Sequence, residues 1–393
     1  MRQGRRVAVV GLGAVTTCGV GIDALWDGLV GPQPEGERRV HDWDPTPFYD
    51  SPKEARRHDR HTQFTMGAAM EALDAAGDDL VADPARAGVI YATGVGGMSS
   101  FEAQVEVYLN KGERRVSPFL VPMMMPNAAG AAISMKYGLQ GPCETTTTAC
   151  AASTHSISNA ANLIRWGRCD VVVSGGAEAV MTPVGMAGFG NMTALSSTGQ
   201  SMPFDAGRDG FMMTEGAAVV VLEEWDKAVA RGARIWGEVL GSASNADAHH
   251  ITAPSPGGVG AVTCIQLALD DAGIDAADVR HINAHGTSTP LNDAAEAHAI
   301  AKVFGSPGPI VTSTKGVTGH GLGAAGAIEA TSVFLSMDRA LVPPTAGFTT
   351  QDPELPAIDI VSGEARAWEP GVSLSNSFGF GGHNGCLVLG PPS

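Results

Sequence analysis

Short runs of buried-strand character alternate with helix-like segments along nearly the whole of this 393-residue chain. Arg6–Gly11 (R-V-A-V-V-G), Gly88–Thr93, Asp170–Ser174 and Ala217–Leu222 read as strands. Ile22–Leu29, Lys53–Ala75 and Asn127–Tyr137 read as helices between them. The second half repeats the rhythm, with strands at Ile235–Ser242, Val279–Ala284, Ile310–Ser313 and Gly385–Leu389. Its helices fall at Gly258–Ala272, Asp293–Val303 and Gly323–Met337. Leu12–Gly19, Gly31–Pro52 and Asp205–Gly216 read as loops. Such alternation implies an α/β architecture with buried, partly parallel sheets. The expected division is into two similar halves, residues 1–230 and 231–393, meeting near Glu224–Arg234.

Composition narrows the function. Apolar residues make up 44% and charged residues 17%, which supports a large core and argues against disorder. A formal net charge of −16 disfavours a general nucleic-acid binder. The six cysteines (Cys18, Cys143, Cys150, Cys169, Cys264 and Cys386) form no C-x-x-C pair and no disulfide-like framework, so a reducing cytoplasm fits best. The basic start Met1–Arg6 precedes an apolar run that is short and broken by glycine, which reads as a strand and not a signal peptide. No apolar run approaches the roughly 18 residues of a membrane span.

Four motifs carry the chemistry. In E-T-T-T-T-A-C-A-A-S (Glu144–Ser153), a β-branched run leads through a turn at Cys150 into an alanine-rich helix. A thiol there faces the positive end of a helix dipole, which favours the nucleophilic thiolate. N-A-H-G-T-S-T-P (Asn283–Pro290) puts His285 at a strand's carboxyl end, where open α/β sheets place their sites. S-T-K-G-V-T-G-H-G-L-G-A-A-G (Ser313–Gly326) carries Lys315 and His320 in a glycine-rich turn before a long helix. N-S-F-G-F-G-G-H-N (Asn376–Asn384) is glycine-rich, reads as a loop, and holds two large aromatics, Phe378 and Phe380.

Each motif alone has a plainer reading. An unpaired cysteine is usually a small core residue, and a lone histidine is usually solvated or hydrogen-bonded. No G-x-G-x-x-G follows the first strand, which disfavours a dinucleotide site. His281 and His285 have H-x-x-x-H spacing, but along a strand that spacing spans roughly 13 Å, too far for one zinc ion. What outweighs these readings is the coincidence of a thiol, two imidazoles and an ammonium at strand–helix junctions.

In order and spacing the four motifs resemble those of the β-ketoacyl-acyl-carrier-protein synthases, most closely the elongating type II enzymes of bacteria. The likeness runs from V-V-G-L-G-A-V-T (Val9–Thr16) to the last strand. It implies a thiolase fold of duplicated halves in five α-β-α-β-α layers, and a homodimer with each site near the partner subunit. It implies a catalytic Cys150, His285 and His320, with Lys315 shaping the electrostatics and Glu329 in support. Phe380 matches a gating residue; Phe380 also contributes to the oxyanion site, with Phe378 and Gly379 beside it. Thr287 and Thr289 match contacts to the pantetheine arm, and Val95 a position at the floor of the acyl pocket. Lys53, Arg56, Arg57, Arg114 and Arg115 fall where relatives dock the acidic carrier protein. Asn283, Glu329, Ser375 and Asn376 match a structural Na+ or K+ site of some members. No free cofactor is implied, since phosphopantetheine arrives on the acyl carrier protein.

The implied reaction is decarboxylative condensation of malonyl carrier protein with an acyl group on Cys150. Three departures stand out: His383 replaces a threonine in the gate loop, Met202 an arginine on the docking face, and the stretch before Lys53 is shorter than usual, which trims a surface loop. The nearest alternative is the catalytic subunit of a type II polyketide ketosynthase heterodimer. A non-catalytic chain-length-factor partner is disfavoured, because that role needs no thiol. A thiolase is disfavoured because Cys386, inside the last strand, reads as core.

Overall fold

The structure is a computed structural model in which residues 4–392 are described, so Met1–Gln3 of the basic N-terminal stretch lie outside them. The first half contributes strands β1 (Val7–Thr16), β2 (Ala87–Ala92), β3 (Cys143–Thr146), β4 (Val171–Glu178) and β5 (Gly216–Glu224). The second half contributes β6 (Gly237–Ala246), β7 (Val279–Asn283), β8 (Ile310–Thr312), β9 (Val372–Gly379) and β10 (His383–Gly390). Spatial order in the first set is β1-β5-β4-β2-β3, and in the second β6-β10-β9-β7-β8. Both follow one rule: first, fifth, fourth, second, third. The directions match too. In each set the fifth strand pairs antiparallel with both neighbours, and the second pairs parallel with the third and fourth. The sets meet through a short antiparallel pairing, Ala8 with Glu238 and Val9 with Gly237.

The main helices are α1 (Arg60–Ala76), α2 (Met98–Lys111), α3 (Ala128–Tyr137), α4 (Ala152–Arg165), α5 (Val259–Ala272), α6 (Pro290–Phe304) and α7 (Ala325–Arg339). Helices α4 and α7 pack together and against strands of both sets, forming the middle layer. Helices α1 and α3 cover the outer face of the first set, and α5 and α6 that of the second. This is the five-layered thiolase fold. Every residue of α7 from Ala325 to Met337 is buried, as a central layer requires. No helix among the described residues is long and apolar enough to cross a membrane.

Several element readings need correction. Leu12–Gly19 is not a loop: β1 continues to Thr16, and its glycines serve close packing. A Cβ on Gly11 or Gly13 would lie 2.1 or 2.0 Å from the carbonyl oxygens of Ala72 and Ala68 in α1. Glycine here lets helix and strand touch backbone to backbone. The strand from Asp170 likewise runs on through Gly175 and Gly176 to Glu178. Lys53–Ala75 is two helices, Pro52–Ala55 and α1, separated where Asp59 caps α1. Much of Asn376–Asn384 is strand: β9 and β10 pair from Ser373–Leu389 up to Gly379–His383, leaving only the turn at Phe380–Gly382.

The close approach gives a stability prediction. Gly13→Ala forces its methyl into the Ala68 carbonyl and is expected to destabilise the fold by about 2–3 kcal/mol. Urea denaturation would show this as a lower midpoint; an unchanged midpoint contradicts it.

Candidate active site

The turn that presents Cys150 is set by Ala149, whose φ of 50° lies in the left-handed region. The chain then passes through a short 3-10 turn, Ala149–Ala151, into α4. Gly379 lies against this turn. A Cβ there would stand 3.1 Å from the Cys150 nitrogen and 3.2 Å from that of Ala151, so any side chain on β9 at this point would crowd the turn. In the second set, β8 leads into the turn carrying Lys315 and His320 and then into α7. Cys150 and the Lys315–His320 turn thus follow equivalent third strands.

His320 Nε2 lies 3.0 Å from Cys150 Sγ. The rings of His285 and His320 are 5.3 Å apart, nearly perpendicular, and both residues are buried. Lys315, also fully buried, donates from Nζ to the His285 carbonyl oxygen at 2.5 Å and contacts His285 Nδ1 at 3.2 Å. It also ion-pairs with Glu329. An ammonium can only donate, so Nδ1 of His285 accepts and its proton sits on Nε2. Burial and the Lys315 charge hold both imidazoles well below their usual range, hence neutral.

The helix-end position does not make Cys150 a resting thiolate. Burial pushes the thiol up to about 12, against the opposing pull of the Lys315 ammonium and the Phe380 N–H. A neutral His320 at 3.0 Å can accept a hydrogen bond from the thiol. Cys150, His285 and His320 offer ligand atoms within 4.8 Å of one another, a spacing compatible with a soft metal ion. The Lys315 ammonium against His285 opposes any dication there.

A cavity of ≈ 390 Å³ opens on these groups. Thr287 and Thr289 line it, their hydroxyls 2.9 Å apart, with Phe378, Gly379 and Phe380 on another wall. Val95 does not line it. It is 45% exposed on the Gly94–Gly97 turn, on the β3 side of the sheet, where the strand edge is unpaired. Lys53, Arg56, Arg57, Arg114 and Arg115 are exposed and also stand apart from the cavity. Arg57 stacks over Phe119 at 4.6 Å, bringing the two basic segments toward each other. His281 lies apart from the thiol, against Trp368.

The side-chain oxygens of Asn283, Ser375 and Asn376 and Oε2 of Glu329 are buried without a hydrogen-bond partner among the described residues. Sequence reasoning missed three buried acids that hold the turns. Glu296 accepts from the backbone N–H groups of His285 and Gly286, both at 2.8 Å. Asp293 accepts from those of Ser288 and Phe204, and Glu178 from those of Gly94 and Gly323. Their signal was an acid beside a glycine-rich turn, which sequence alone does not separate from a solvated one. His155 was read as an ordinary histidine. It is buried, with Nδ1 2.8 Å from the Thr148 hydroxyl and Nε2 2.9 Å from the Asn384 carbonyl oxygen. It ties the Cys150 turn to the end of the Phe380 turn.

Fold and site together define the class, a thiolase-fold acyltransferase. The chain belongs to the β-ketoacyl synthase family. The family model "Beta-ketoacyl synthase, N-terminal domain" matches residues 32–228, and "Beta-ketoacyl synthase, C-terminal domain" matches 236–349. The chain is 42% identical over 410 residues to a 3-oxoacyl-[acyl-carrier-protein] synthase 2 of Synechocystis, covering 98% of each chain. It is 41% identical to a protein of the same name from Staphylococcus aureus, covering 99% of each. A solved structure titled as the ishigamide ketosynthase/chain length factor superposes with a TM-score of 0.93 at 32% identity, covering 99% of this chain and 100% of that one.

With the thiol raised by burial, iodoacetamide labelling of Cys150 is expected to increase with pH and still be rising at about pH 9. Lys315→Ala removes a charge that favours the thiolate and should slow labelling throughout. Peptide mass mapping checks both, and a plateau near neutrality contradicts the first.

Proposed function

We propose that this synthase lengthens acyl chains by decarboxylative condensation, with Cys150 as acyl carrier, His320 as its proton acceptor and His285 as donor to the enolate. The observation that carries this reading is the 3.0 Å contact between a neutral imidazole and a buried thiol. In the first half-reaction the Cys150 proton passes to His320 Nε2, and sulfur attacks the carbonyl of an acyl thioester on the carrier. The backbone N–H groups of Cys150 and Phe380 hold the oxyanion. The bond from sulfur to the acyl carbon forms in that attack; collapse of the oxyanion restores the carbonyl, breaks the carbon–sulfur bond to the carrier and expels the carrier's thiolate, which takes the proton from His320.

In the second half-reaction, malonyl carrier protein loses CO₂, and the electrons of the broken C–C bond pass to the thioester oxygen. His285 Nε2–H donates to that oxygen. Once sulfur is acylated it no longer donates to His320, so the ring exchanges to the tautomer protonated on Nε2, with Nδ1 deprotonated, and donates beside it. The enolate carbon attacks the acyl-cysteine, forming the new C–C bond; the carbon–sulfur bond then breaks, and the Cys150 thiolate regains a proton taken up from water. A dry site strengthens each of these hydrogen bonds. Lys315 holds the His285 tautomer that makes Nε2 the donor.

Thr287 and Thr289, side by side in the cavity wall, suit the amides of a pantetheine arm. That arm arrives on the carrier protein, so no free cofactor is needed. Five exposed cations on an acidic enzyme give that acidic partner a local attraction. Phe380 turns on Gly381 and Gly382, both at positive φ, which suits a gate that swings when Cys150 is acylated. The orphaned oxygens of Asn283, Ser375, Asn376 and Glu329 suit a hard monovalent cation, which would supply the contacts these buried atoms lack.

A homodimer fits the open β3 edge and the exposed apolar residues of α2, Phe101, Val105, Tyr108 and Leu109. A second copy there would also cover Val95 and close the acyl pocket beside it. The ketosynthase/chain-length-factor likeness favours a second reading, the catalytic member of a heterodimer running the same reaction. The proposed halves, 1–230 and 231–393, are supported by the repeated strand order.

Intact-protein mass after medium-chain acyl carrier protein, then malonyl carrier protein, is expected to show acylation of wild type and none of Cys150→Ala. The acyl group should leave as a product two carbons longer. A folded wild-type protein that takes up no acyl group contradicts the proposal. A protein acylated only with a chain-length partner present supports the heterodimer. Exchange of Na+ and K+ for tetramethylammonium is expected to lower the melting temperature, and no shift argues against the cation.

A further inference from the structure

Glu178 ends β4 and is fully buried. Its Oε2 accepts from the backbone N–H of Gly94 at 2.7 Å and of Gly323 at 3.1 Å, and its Oε1 from the Thr93 hydroxyl at 3.2 Å. Thr93 in turn accepts from the Gly96 N–H at 3.0 Å. One carboxylate therefore joins two turns from different halves of the chain. Both must be glycine at the contact. A Cβ on Gly94 would sit 2.5 Å from Glu178 Oε2, and one on Gly323 only 2.1 Å from the Gly94 nitrogen. Each turn also presents an apolar side chain to the nucleophile. Leu322, held at φ 45°, packs in the cluster containing Cys150 and lines the cavity. Met98, just after the Gly94–Gly97 turn, packs against the same cluster.

We propose that Glu178 is a positioning residue that clamps the Gly94–Gly97 turn to the His320–Gly323 turn, fixing the apolar wall around the acylated cysteine relative to His320. The carboxylate is the right group for this task. It can accept from three donors at once, whereas in a carboxylic acid or an amide the hydrogen-bearing atom faces the Thr93 hydroxyl, which must turn around and give up its own bond to Oε1. The charged groups around it are few: His61 of α1, with Asp59 bonded to that ring, and the Cys150 thiol. No lysine or arginine ion-pairs with it among the described residues. Burial raises its carboxyl to about 7, the hydrogen bonds pulling the other way. Because the folded value is raised, the clamp is complete above about pH 7 and loosens as pH falls through that value.

Condensation by the full-length enzyme, read with carrier proteins bearing short to long acyl chains across pH 6–8.5, tests this. Glu178→Gln is expected to lose about 10- to 100-fold in condensation rate, the scale of a small misplacement of reacting groups. It should blur the acyl-length preference while iodoacetamide labelling of Cys150 stays within about 2-fold, since a small reagent does not need the wall. Wild type should lose rate as pH falls through about 7, and that limb should be absent in Glu178→Gln. Unchanged condensation, or a limb that survives the substitution, overturns the proposal. So does an equal loss of labelling and condensation with a lowered melting temperature, which marks simple structural support. Should Glu178→Gln not fold, Thr93→Val removes only the third donor. A several-fold loss in condensation with altered length preference is then expected, and wild-type behaviour overturns the proposal. Failure of wild type to take up any acyl group would instead count against the condensing reaction itself.

Discussion

The site hangs on one buried cation. Lys315 has no access to water, and its Nζ lies among the Glu329 carboxylate, the His285 carbonyl oxygen and His285 Nδ1. Such a charge is costly to bury and persists only where its hydrogen bonds are met. Meeting them fixes three things together: the backbone of the His285 turn, the tautomer of its ring, and the position of the Lys315–His320 turn against α7. The same charge keeps both imidazoles neutral and pulls on the thiol. Geometry and electrostatics therefore have a common origin, and neither can be altered alone by changing this residue.

Around that cation lies a shell of buried acids with a different duty. Glu296, Asp293 and Glu178 spend their oxygens mainly on backbone N–H groups of turns, though Arg208 also lies 3.9 Å from Asp293. Glycine-rich turns have many accessible conformations, and the acids hold one of them. The arrangement lets the backbone come close to substrate while remaining ordered. His155 works in the same way through a neutral ring, with one nitrogen for the Cys150 turn and the other for the end of the Phe380 turn.

Strand–helix alternation and the four motifs could be read from sequence because both are local: apolar periodicity, and polar residues set among glycines. What could not be read depends on contacts distant in sequence. Gly11 and Gly13 resemble loop residues until α1 is laid against them, when they become the condition for contact. Helix α2 escaped notice because none of its residues is fully buried in this chain, and Phe101, Val105, Tyr108 and Leu109 are exposed without a clear core stripe. The turn-holding acids look like ordinary solvated ones, since their N–H partners can lie more than a hundred residues away. The thiol was expected to ionise from its place at a helix end, but local sequence does not report how completely the surrounding layers exclude water.

The matching strand order has a consequence for how such a site can vary. In each half the second strand ends in a glycine-containing turn, Gly94–Gly97 after β2 and the His285 turn after β7. The third strand in each ends in a turn feeding a central helix, one bearing Cys150 and the other Lys315 and His320. Two identical chains in a symmetric pair would be obliged to carry the same residue at both copies of a turn. A single chain holding the topology twice is free of that obligation. It can place a thiol on one copy and the imidazole that meets it on the other, so that an approximately symmetric scaffold encloses an asymmetric site.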